Sequence, residues 1–309
     1  MKKNLLVIFI LCLLLSGCDS QLRAIPINHF GSTDKGNFTF FPTSAFAESG
    51  TVFKRIELPK CSQMRLEPPK YSVDQRKILI GSIEGMKNPA LRYPIILNEN
   101  LDQEFACKDL VYLDWVDFYD AESNTILSYF LSEITVYDME ECEKIDTLIN
   151  FNEVIRFSGF DWNPNLHLLA YSVMHYQPES QRKEYELHVY NPGINPDRVI
   201  AEGLFPAWSK DGTLLAYLQD NALIILDLEW SVVKKVEIDN FRIGLSDALL
   251  DWDETSSNLL VSIYNSRDTD GSDFLVYQYS IAEDMFELIM VGANNARWMP
   301  SGFCLDDGQ

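Results

Sequence analysis

The stretch Phe205-Pro-Ala-Trp-Ser-Lys-Asp-Gly-Thr-Leu-Leu-Ala-Tyr217 decides the fold. It predicts a short apolar strand that ends at Trp208, a turn over residues 209–212 and a second strand over residues 213–218. Gly212 suits the turn because glycine adopts a positive φ without steric cost. Taken alone, the stretch predicts one β-hairpin.

The same pattern recurs along the chain at a nearly constant interval. Trp115, Trp162, Trp208, Trp252 and Trp298 are separated by 47, 46, 44 and 46 residues, and each ends an apolar segment that polar turn residues follow. The stretch that begins at Tyr71, 44 residues before Trp115, keeps a Ser-x-Asp turn with tyrosine in the tryptophan place. A period in the mid-forties with four strands per unit is the signature of a β-propeller.

The repeats predict an all-β fold of six four-stranded blades over residues 37–309. Five full units start at the positions of Tyr71, Trp115, Trp162, Trp208 and Trp252, and the unit of Trp298 stops eleven residues later. Strand-like segments at 38–41, 51–58 and 61–67 would complete that last unit, because a propeller pairs its last blade with its first. We expect the repeated tryptophans in the core between blades and Trp230, in a hairpin turn, to be partly exposed.

Residues 1–17 have the features of a signal peptide. Lys2 and Lys3 precede an apolar core at 5–15, which is too short to span a bilayer. The following Leu15-Ser-Gly-Cys18 resembles the bacterial lipobox, in which cleavage before the cysteine leaves it lipidated. This resemblance implies a lipid anchor with acyl chains such as palmitate on Cys18 and a flexible tether over residues 18–36. The alternative is an ordinary secretory signal that is cleaved elsewhere.

A lipidated Cys18 implies that the chain is anchored in the bacterial cell envelope and faces the periplasm. Asp19 is similar to the inner-membrane retention signal of enteric bacteria and favours that membrane, with the outer membrane as the alternative. Beyond Cys12 and Cys18, the cysteines are Cys61, Cys107, Cys142 and Cys304. In an oxidising compartment they permit two disulfides with three possible pairings. No two of them have Cys-x-x-Cys spacing, which argues against a zinc site.

The charge of the chain excludes some partners. There are 25 Lys and Arg against 46 Asp and Glu, a formal net charge of −21. Removal of Lys2 and Lys3 with the signal lowers the basic count to 23 and the net charge to −23. Nucleic acid and anionic headgroups both require basic surfaces and are therefore not expected as partners. The acidic residues are interspersed, which indicates a solvated surface rather than an acidic patch.

The stretch Phe205–Tyr217, followed by the strand-like Ile224-Ile-Leu-Asp-Leu228, resembles the repeat of TolB-type six-bladed propellers. The same repeat occurs in propeller domains of prolyl oligopeptidase-like enzymes. One unit matches well and three match loosely, and the resemblance covers residues 37–309. It implies the propeller fold, whereas the partner of TolB is not carried over because residues 18–36 are too few for the N-terminal domain of TolB.

No catalytic centre is expected. A peptidase of the prolyl oligopeptidase type needs a nucleophile elbow, and the chain contains no Gly-x-Ser-x-Gly. Its four histidines, His29, His167, His175 and His188, have no accompanying Ser or Cys motif. His167 and His188 lie in apparent strands, which favours packed or surface positions over catalytic ones.

One acidic segment is a candidate calcium site. Asp268, Asp270 and Asp273 place oxygen ligands in the spacing that suits Ca²⁺. The terminal Glu of a full calcium loop is missing, however, and the segment resembles an ordinary turn between two strands. Likewise, Ser209-Lys-Asp-Gly-Thr213 comes near the turn of sialidase propellers but lacks its Trp.

The sequence therefore predicts a non-catalytic, lipid-anchored periplasmic propeller that acts as a protein-binding scaffold in a cell-envelope process, with no cofactor. The alternative is a propeller that binds a small molecule or glycan in its central channel. A hydrolase is the third and least favoured hypothesis. Because propeller function depends on loops that share no motif across the fold, the sequence does not identify the partner.

Overall fold

The regular secondary structure of the described residues consists of β-strands. The structure, a computed structural model, describes residues 22–26, 37–42, 54–57, 64–66, 70–72, 76–84, 91–98, 103–108, 110, 114–130, 132–151, 156–177, 182–238, 246–265, 274–291 and 297–298. Among these residues, no helix is long and apolar enough to cross a membrane.

The 25 strands have two to ten residues each. In chain order they are β1 (Leu22–Pro26), β2 (Asn37–Pro42), β3 (Lys54–Glu57), β4 (Met64–Leu66), β5 (Lys70–Tyr71), β6 (Lys77–Glu84), β7 (Leu91–Asn98), β8 (Gln103–Ala106), β9 (Asp114–Asp120), β10 (Thr125–Phe130), β11 (Glu133–Asp138), β12 (Glu143–Asn150), β13 (Arg156–Asn163), β14 (Leu168–Gln177), β15 (Arg182–Asn191), β16 (Asn195–Glu202), β17 (Leu204–Trp208), β18 (Leu215–Gln219), β19 (Ala222–Leu226), β20 (Val232–Glu237), β21 (Ser246–Trp252), β22 (Asn258–Asn265), β23 (Phe274–Ser280), β24 (Met285–Val291) and β25 (Arg297–Trp298).

Strands β4 to β24 form five antiparallel blades from consecutive segments of the chain. Blade 2 (β9–β12), blade 3 (β13–β16), blade 4 (β17–β20) and blade 5 (β21–β24) each have four strands in sequence order. In blade 1 (β4–β8), both β4 and β5 pair with β6, and β7 and β8 follow. The prediction of an all-β propeller with four-stranded blades is confirmed by this arrangement.

A further sheet, the terminal sheet, joins both ends of the chain in the order β25-β1-β2-β3. Ala24 of β1 pairs with Arg297 of β25, and β25 packs beside β21. The sequence predicts six blades, whereas the structure shows five blades of consecutive strands beside this sheet.

The predicted boundaries at the N-terminus need correction. Strand β1 lies inside the predicted tether 18–36, because it supplies the partner strand for β25. The strand predicted at 61–67 is present as β4, but it pairs with β6 of blade 1 rather than with the terminal unit.

Burial falls from the first to the fourth strand of a blade, as blade 4 shows. All residues of β17 and β19 are buried, whereas β20 alternates between exposed and half-buried side chains. The inner three strands are therefore covered by neighbouring blades on both faces, which explains why their sequences are almost continuously apolar. The outer strand packs on one side only.

The repeated tryptophans follow the prediction in three blades. Trp162, Trp208 and Trp252 are buried, and the indole N–H groups of Trp162 and Trp252 donate to backbone carbonyls of the preceding blade, at 3.0 Å each. Trp230 is half-buried and packs against Trp208. The side chains of Tyr71 and Trp298 lie outside the described residues.

The core prediction is wrong for Trp115, which is 37% exposed. Strand pairing skips this residue, since Asp114 pairs with Tyr129 and Val116 with Ser128, so Trp115 is the extra residue of a β-bulge and has a φ of 51°. Phe118 takes the buried position instead. Phe118 pairs with Ile126, which occupies the position in blade 2 that Leu169, the partner of Trp162, occupies in blade 3.

Candidate functional site

Corresponding positions on the first strands of the blades carry charged residues. The residues before Tyr71, Phe118, Trp162, Trp208, Trp252 and Trp298 are Lys70, Asp117, Asp161, Ala207, Asp251 and Arg297, all charged except Ala207, and we call this set the inner row. The strands that carry it, β5, β9, β13, β17, β21 and β25, pack side by side in that order. Because the first strands of a propeller face its central channel, the row follows the inner wall of the molecule.

Lys70 connects three of these strands. Its Nζ atom donates to Oδ2 of Asp117 at 3.0 Å and also to Oδ1 of Asp161. The side chains of Lys70, Asp117 and Asp161 are only 17%, 9% and 15% exposed. One ammonium group therefore pairs with carboxylates from two successive blades.

The two carboxylates also bind the backbone of the next blade. Asp117 accepts the backbone N–H of Trp162 at 3.4 Å, and Asp161 accepts that of Trp208 at 2.6 Å. Asp117 additionally accepts the N–H of Phe118 at 2.8 Å. Each carboxylate thus links its own first strand to the following one.

Burial and pairing set the pKa values of this pair in opposite directions. Burial raises the pKa of Asp117 from 3.8 to about 6, Lys70 opposes that shift, and the negative charge of Asp161 adds to it. For Asp161, burial also acts to raise the pKa, but Lys70 and the N–H of Trp208 outweigh it and lower the pKa below 3.8. Asp161 is therefore the ionised partner of Lys70, while Asp117 gains a proton in mildly acidic solution.

The far side of the row contains a second ion pair. Asp251 is buried, and one of its carboxylate oxygens lies 3.6 Å from Nζ of Lys210. Lys210 belongs to the turn after Trp208, in the blade whose row position is Ala207. The described carboxylates of the inner row, Asp117, Asp161 and Asp251, are thus paired either with Lys70 of the row or with Lys210 of a neighbouring turn.

The histidines considered from the sequence lie away from this row. His167 is an exposed turn residue with a φ of 52°, which corrects its expected place in a strand, because β14 begins one residue later. His188 lies in strand β15, as predicted, and His175 lies in strand β14; both contact Glu186. His29 lies outside the described residues.

Two predicted sites fall on residues that the structure does not describe. These are the lipidation site Cys18, with Asp19 beside it, and the calcium candidate Asp268, Asp270 and Asp273. Within the described segments, no three His, Cys, Asp or Glu side chains are grouped so that they could hold a metal ion.

A disulfide connects blades 1 and 2. Cys107, just after β8, is bonded to Cys142 in the turn between β11 and β12. This is one of the pairs left open by the cysteine spacing, and Cys61 and Cys304 lie outside the described residues.

The architecture defines the class of protein as an all-β propeller with four-stranded blades. No protein-family model and no curated protein sequence matches the chain. Solved structures do match. TolB from Acinetobacter baumannii is similar with a TM-score of 0.65 and 11% identity, over 91% of this chain and 67% of that one.

Two further structures show how widely the architecture is shared. A chain of a nidogen–laminin complex matches with a TM-score of 0.60 and 10% identity, over 91% of this chain and 99% of that one. Oligogalacturonate lyase from Vibrio parahaemolyticus matches with a TM-score of 0.50 and 11% identity, over 88% of this chain and 74% of that one. At these identities the likeness establishes the fold alone, and the fold is compatible with binding proteins and with an enzyme.

Sequence reasoning missed the inner row. Part of its signal was present, since an aspartate precedes the tryptophan in Phe160-Asp-Trp162 and in Leu250-Asp-Trp252. Asp117 was hidden because the buried aromatic of blade 2 is Phe118, three residues after Trp115, so Asp117 does not precede a repeated tryptophan. Lys70 has the opposite charge, so no repeat comparison would group it with the aspartates.

Proposed function

We propose that this chain is a non-catalytic propeller that binds another protein and is held at a membrane of the bacterial cell envelope by a lipid on Cys18. The observation that carries the proposal is the pairing of Lys70 with Asp117 and Asp161. A carboxylate that acts as an acid or base must be able to reach its substrate. These two are largely buried and engaged in links between blades, so they support a rigid frame.

The rims of the propeller are then the surfaces through which it would recognise a partner. The hairpin turns at one rim, for example 209–212 and 227–231, connect successive strands and carry exposed polar residues such as Lys210, Asp211 and Glu229. Loops on a rigid scaffold are the usual sites of binding. The similar chain from the nidogen–laminin complex comes from a structure in which two proteins are assembled, which also supports a protein partner.

The envelope location is supported by two independent features. The lipobox-like Leu15-Ser-Gly-Cys18 supports lipidation, and the Cys107–Cys142 disulfide supports an oxidising compartment, because disulfides are rare in the cytosol. The protein would face the periplasm, with the inner membrane favoured by Asp19 and the outer membrane as the alternative.

We also infer that the terminal sheet serves as a sixth blade that closes the ring. Support comes from its order, β25-β1-β2-β3, and from the contact of β25 with β21. A chain that ends at Val291 would lack β25 and leave blade 5 and β1 without this neighbour. We expect it to unfold at a lower denaturant concentration than the full chain, and equal midpoints would contradict closure.

The proposed function is tested in the native envelope with a tagged chain and its Cys18→Ala variant. We expect labelling by a palmitate analogue in the first and none in the second. Crosslinking should give one stoichiometric envelope protein, whose purified form binds the purified propeller saturably. Lipid labelling without any saturable protein partner would overturn the binding proposal, and labelling unaffected by Cys18→Ala would overturn the anchor.

A second candidate is the binding of a small molecule or glycan in the central channel. It is favoured by the ion pair of Asp251 with Lys210, whose side chain is 42% exposed, since such groups form hydrogen bonds with polar ligands. Thermal stabilisation by a ligand, lost in Asp251→Asn but kept in a variant of an exposed acid such as Glu229→Gln, would support it. Turnover that depends on Asp251 would instead indicate an enzyme.

A further inference from the structure

One face of blade 3 carries a connected set of ionisable side chains outside the inner row. Its members come from three neighbouring strands and are Tyr171 and His175 of β14, Glu186 and His188 of β15, and Asp197 of β16. Tyr171 pairs directly with His188 across the strands, and their rings are stacked with centroids 4.7 Å apart. Tyr171 also contacts Phe151 at the end of blade 2.

Both ring nitrogens of His188 face carboxylates. Nδ1 lies 2.9 Å from Oδ2 of Asp197, and Nε2 lies 3.2 Å from Oε2 of Glu186. The hydroxyl of Tyr171 donates to the same oxygen of Asp197 at 2.6 Å. The His188 side chain is only 12% exposed, whereas those of Glu186 and Asp197 are 39% and 40% exposed, so the ring is covered while the two carboxylates reach solvent.

A neutral imidazole cannot satisfy this arrangement. It has one N–H and one lone pair, so one of its nitrogens would place a lone pair against a carboxylate oxygen. The imidazolium has two N–H groups and donates to both carboxylates, and such charge-assisted bonds are the stronger ones. The geometry therefore favours the imidazolium form, with a proton on each nitrogen of His188.

We propose that His188 is a proton-operated clamp that fastens the outer strand β16, through Asp197, to the inner strands of blade 3. In the protonated state, His188 of β15 bonds both Asp197 of β16 and Glu186 of β15, and its ring stacks on Tyr171 of β14. The ring thereby holds β16 against the two inner strands. Loss of the proton leaves a single N–H for two carboxylates, so the bond to Asp197 is made for only part of the time and the outer edge of the blade loosens. The clamp would make this edge respond to acidification of the surroundings.

Other titratable groups around the clamp do not reverse this effect. His175 bonds the same oxygen of Glu186 at 3.1 Å, and Tyr190 lies close enough to influence Tyr171. From blade 2, Tyr119 lies close enough to Tyr190 for the two groups to influence each other, and Asp146 influences Tyr119. The carboxylates among these groups favour the charged imidazolium.

The pKa of His188 changes in the direction that the clamp needs. Burial lowers it, but the bonds and charges of Asp197 and Glu186 outweigh burial and raise it above 6.5. A raised folded-state pKa contributes stability that is fully present below the unfolded-state value of 6.5 and is lost as the pH rises through the folded-state value. The same contact lowers the pKa of Asp197 despite its partial burial.

The clamp is tested on the intact protein by NMR titration of His188 and by hydrogen exchange of the β16 amides. We expect a titration midpoint above 6.5 that falls in both Glu186→Gln and Asp197→Asn. After correction for intrinsic rates, β16 should exchange roughly tenfold faster above the midpoint than below it, the change expected for loss of one charged hydrogen bond.

His175→Gln is the matched control, because it removes a histidine from the same carboxylate but leaves the bond to Asp197. The pH dependence of β16 exchange should persist in His175→Gln and vanish in His188→Gln. A midpoint at or below 6.5 in the wild-type protein would overturn the proposal, and this measurement needs no variant to fold. Equal pH dependence in the wild type and His188→Gln would overturn it as well.

Discussion

Lys70 acts across two blade boundaries at once. Its ammonium group meets Asp117 on β9 and Asp161 on β13, and all three side chains are largely buried. Removing a charge from water costs several kcal/mol unless it is paired and hydrogen-bonded. Lys70 is therefore the cation that Asp117 and Asp161 both contact directly, while Lys210 acts on Asp161 only through its charge.

We predict that Lys70→Met lowers the free energy of unfolding by about 3–5 kcal/mol, because it leaves two buried carboxylates without their cation. The measurement is urea denaturation at neutral pH. Lys144→Met is the matched control, since it breaks an exposed pair with Glu133 and should cost less than about 1 kcal/mol. Equal losses of unfolding free energy in the two variants would show that the buried ion pairs of Lys70 contribute no more than the exposed pair of Lys144.

Asp117 should give the protein an unusual pH dependence. Its pKa is raised to about 6, so its contribution to stability is fully present below 3.8 and is lost as the pH rises through about 6. We predict that Asp117→Asn gains stability relative to the wild type as the pH rises through that window. The lowered pKa of Asp161 acts below 3.8 and does not interfere. A difference between the two proteins that does not change with pH would contradict the prediction.

The inner row shows why sequence comparison finds only part of a site. Asp161 and Asp251 stand directly before repeated tryptophans and are visible in the repeat. Their role is not visible, because it depends on Lys70, which is 91 residues from Asp161 along the chain. Charge pairing between blades is a property of three-dimensional neighbours that no single repeat contains.

At the scale of elements, the hairpin turns connect the blades at one rim. Gly212 has a φ of 76°, and its carbonyl accepts the side-chain amide of Asn163 from the preceding blade at 3.0 Å. On the other side, the N–H of Asp211 donates to Ser256 of the following blade at 3.2 Å. The turn predicted at 209–212 is thus both a local reversal and a link between three blades.

We predict that Gly212→Ala costs about 1–3 kcal/mol, because a side chain is strained at this φ. The new Cβ would also lie 2.6 Å from the Asn163 amide. Gly193→Ala is the control, since Gly193 has no positive φ and the nearest atom is 3.7 Å from its Cβ position. It should change stability by less than about 0.5 kcal/mol in the same denaturation experiment. If Gly212→Ala left the free energy of unfolding unchanged, the turn would accommodate the side chain without strain, contrary to the prediction.

The repeat predicted the blades well, because a strand, a turn and a second strand are encoded locally in every unit. It failed at Trp115, where one extra residue in β9 moves the indole out of the core and brings Phe118 in. A bulge leaves the composition of a strand unchanged, so the sequence alone gives no sign of it. Pairing partners, which lie outside the strand, determine which aromatic is buried.

At the scale of the whole molecule, the Cys107–Cys142 disulfide fastens blade 1 to blade 2 across 35 residues. We predict that Cys107→Ala combined with Cys142→Ala lowers the free energy of unfolding by about 4 kcal/mol, the value that chain entropy gives for a loop of this length. Reductant should lower the melting temperature of the wild type to about that of the double variant. If reductant destabilised the double variant as much as the wild type, the bridge would not be the cause.

The terminal sheet has a consequence for how the protein is made. Ala24 pairs with Arg297, so β25 cannot complete this sheet until nearly the whole chain has been synthesised. Contacts between distant residues slow folding, because the loop must close before they stabilise the structure. The blades of consecutive strands can assemble earlier, while β1 waits with an unpaired edge. For an exported chain, this order delays completion of the fold until its last residues have been delivered.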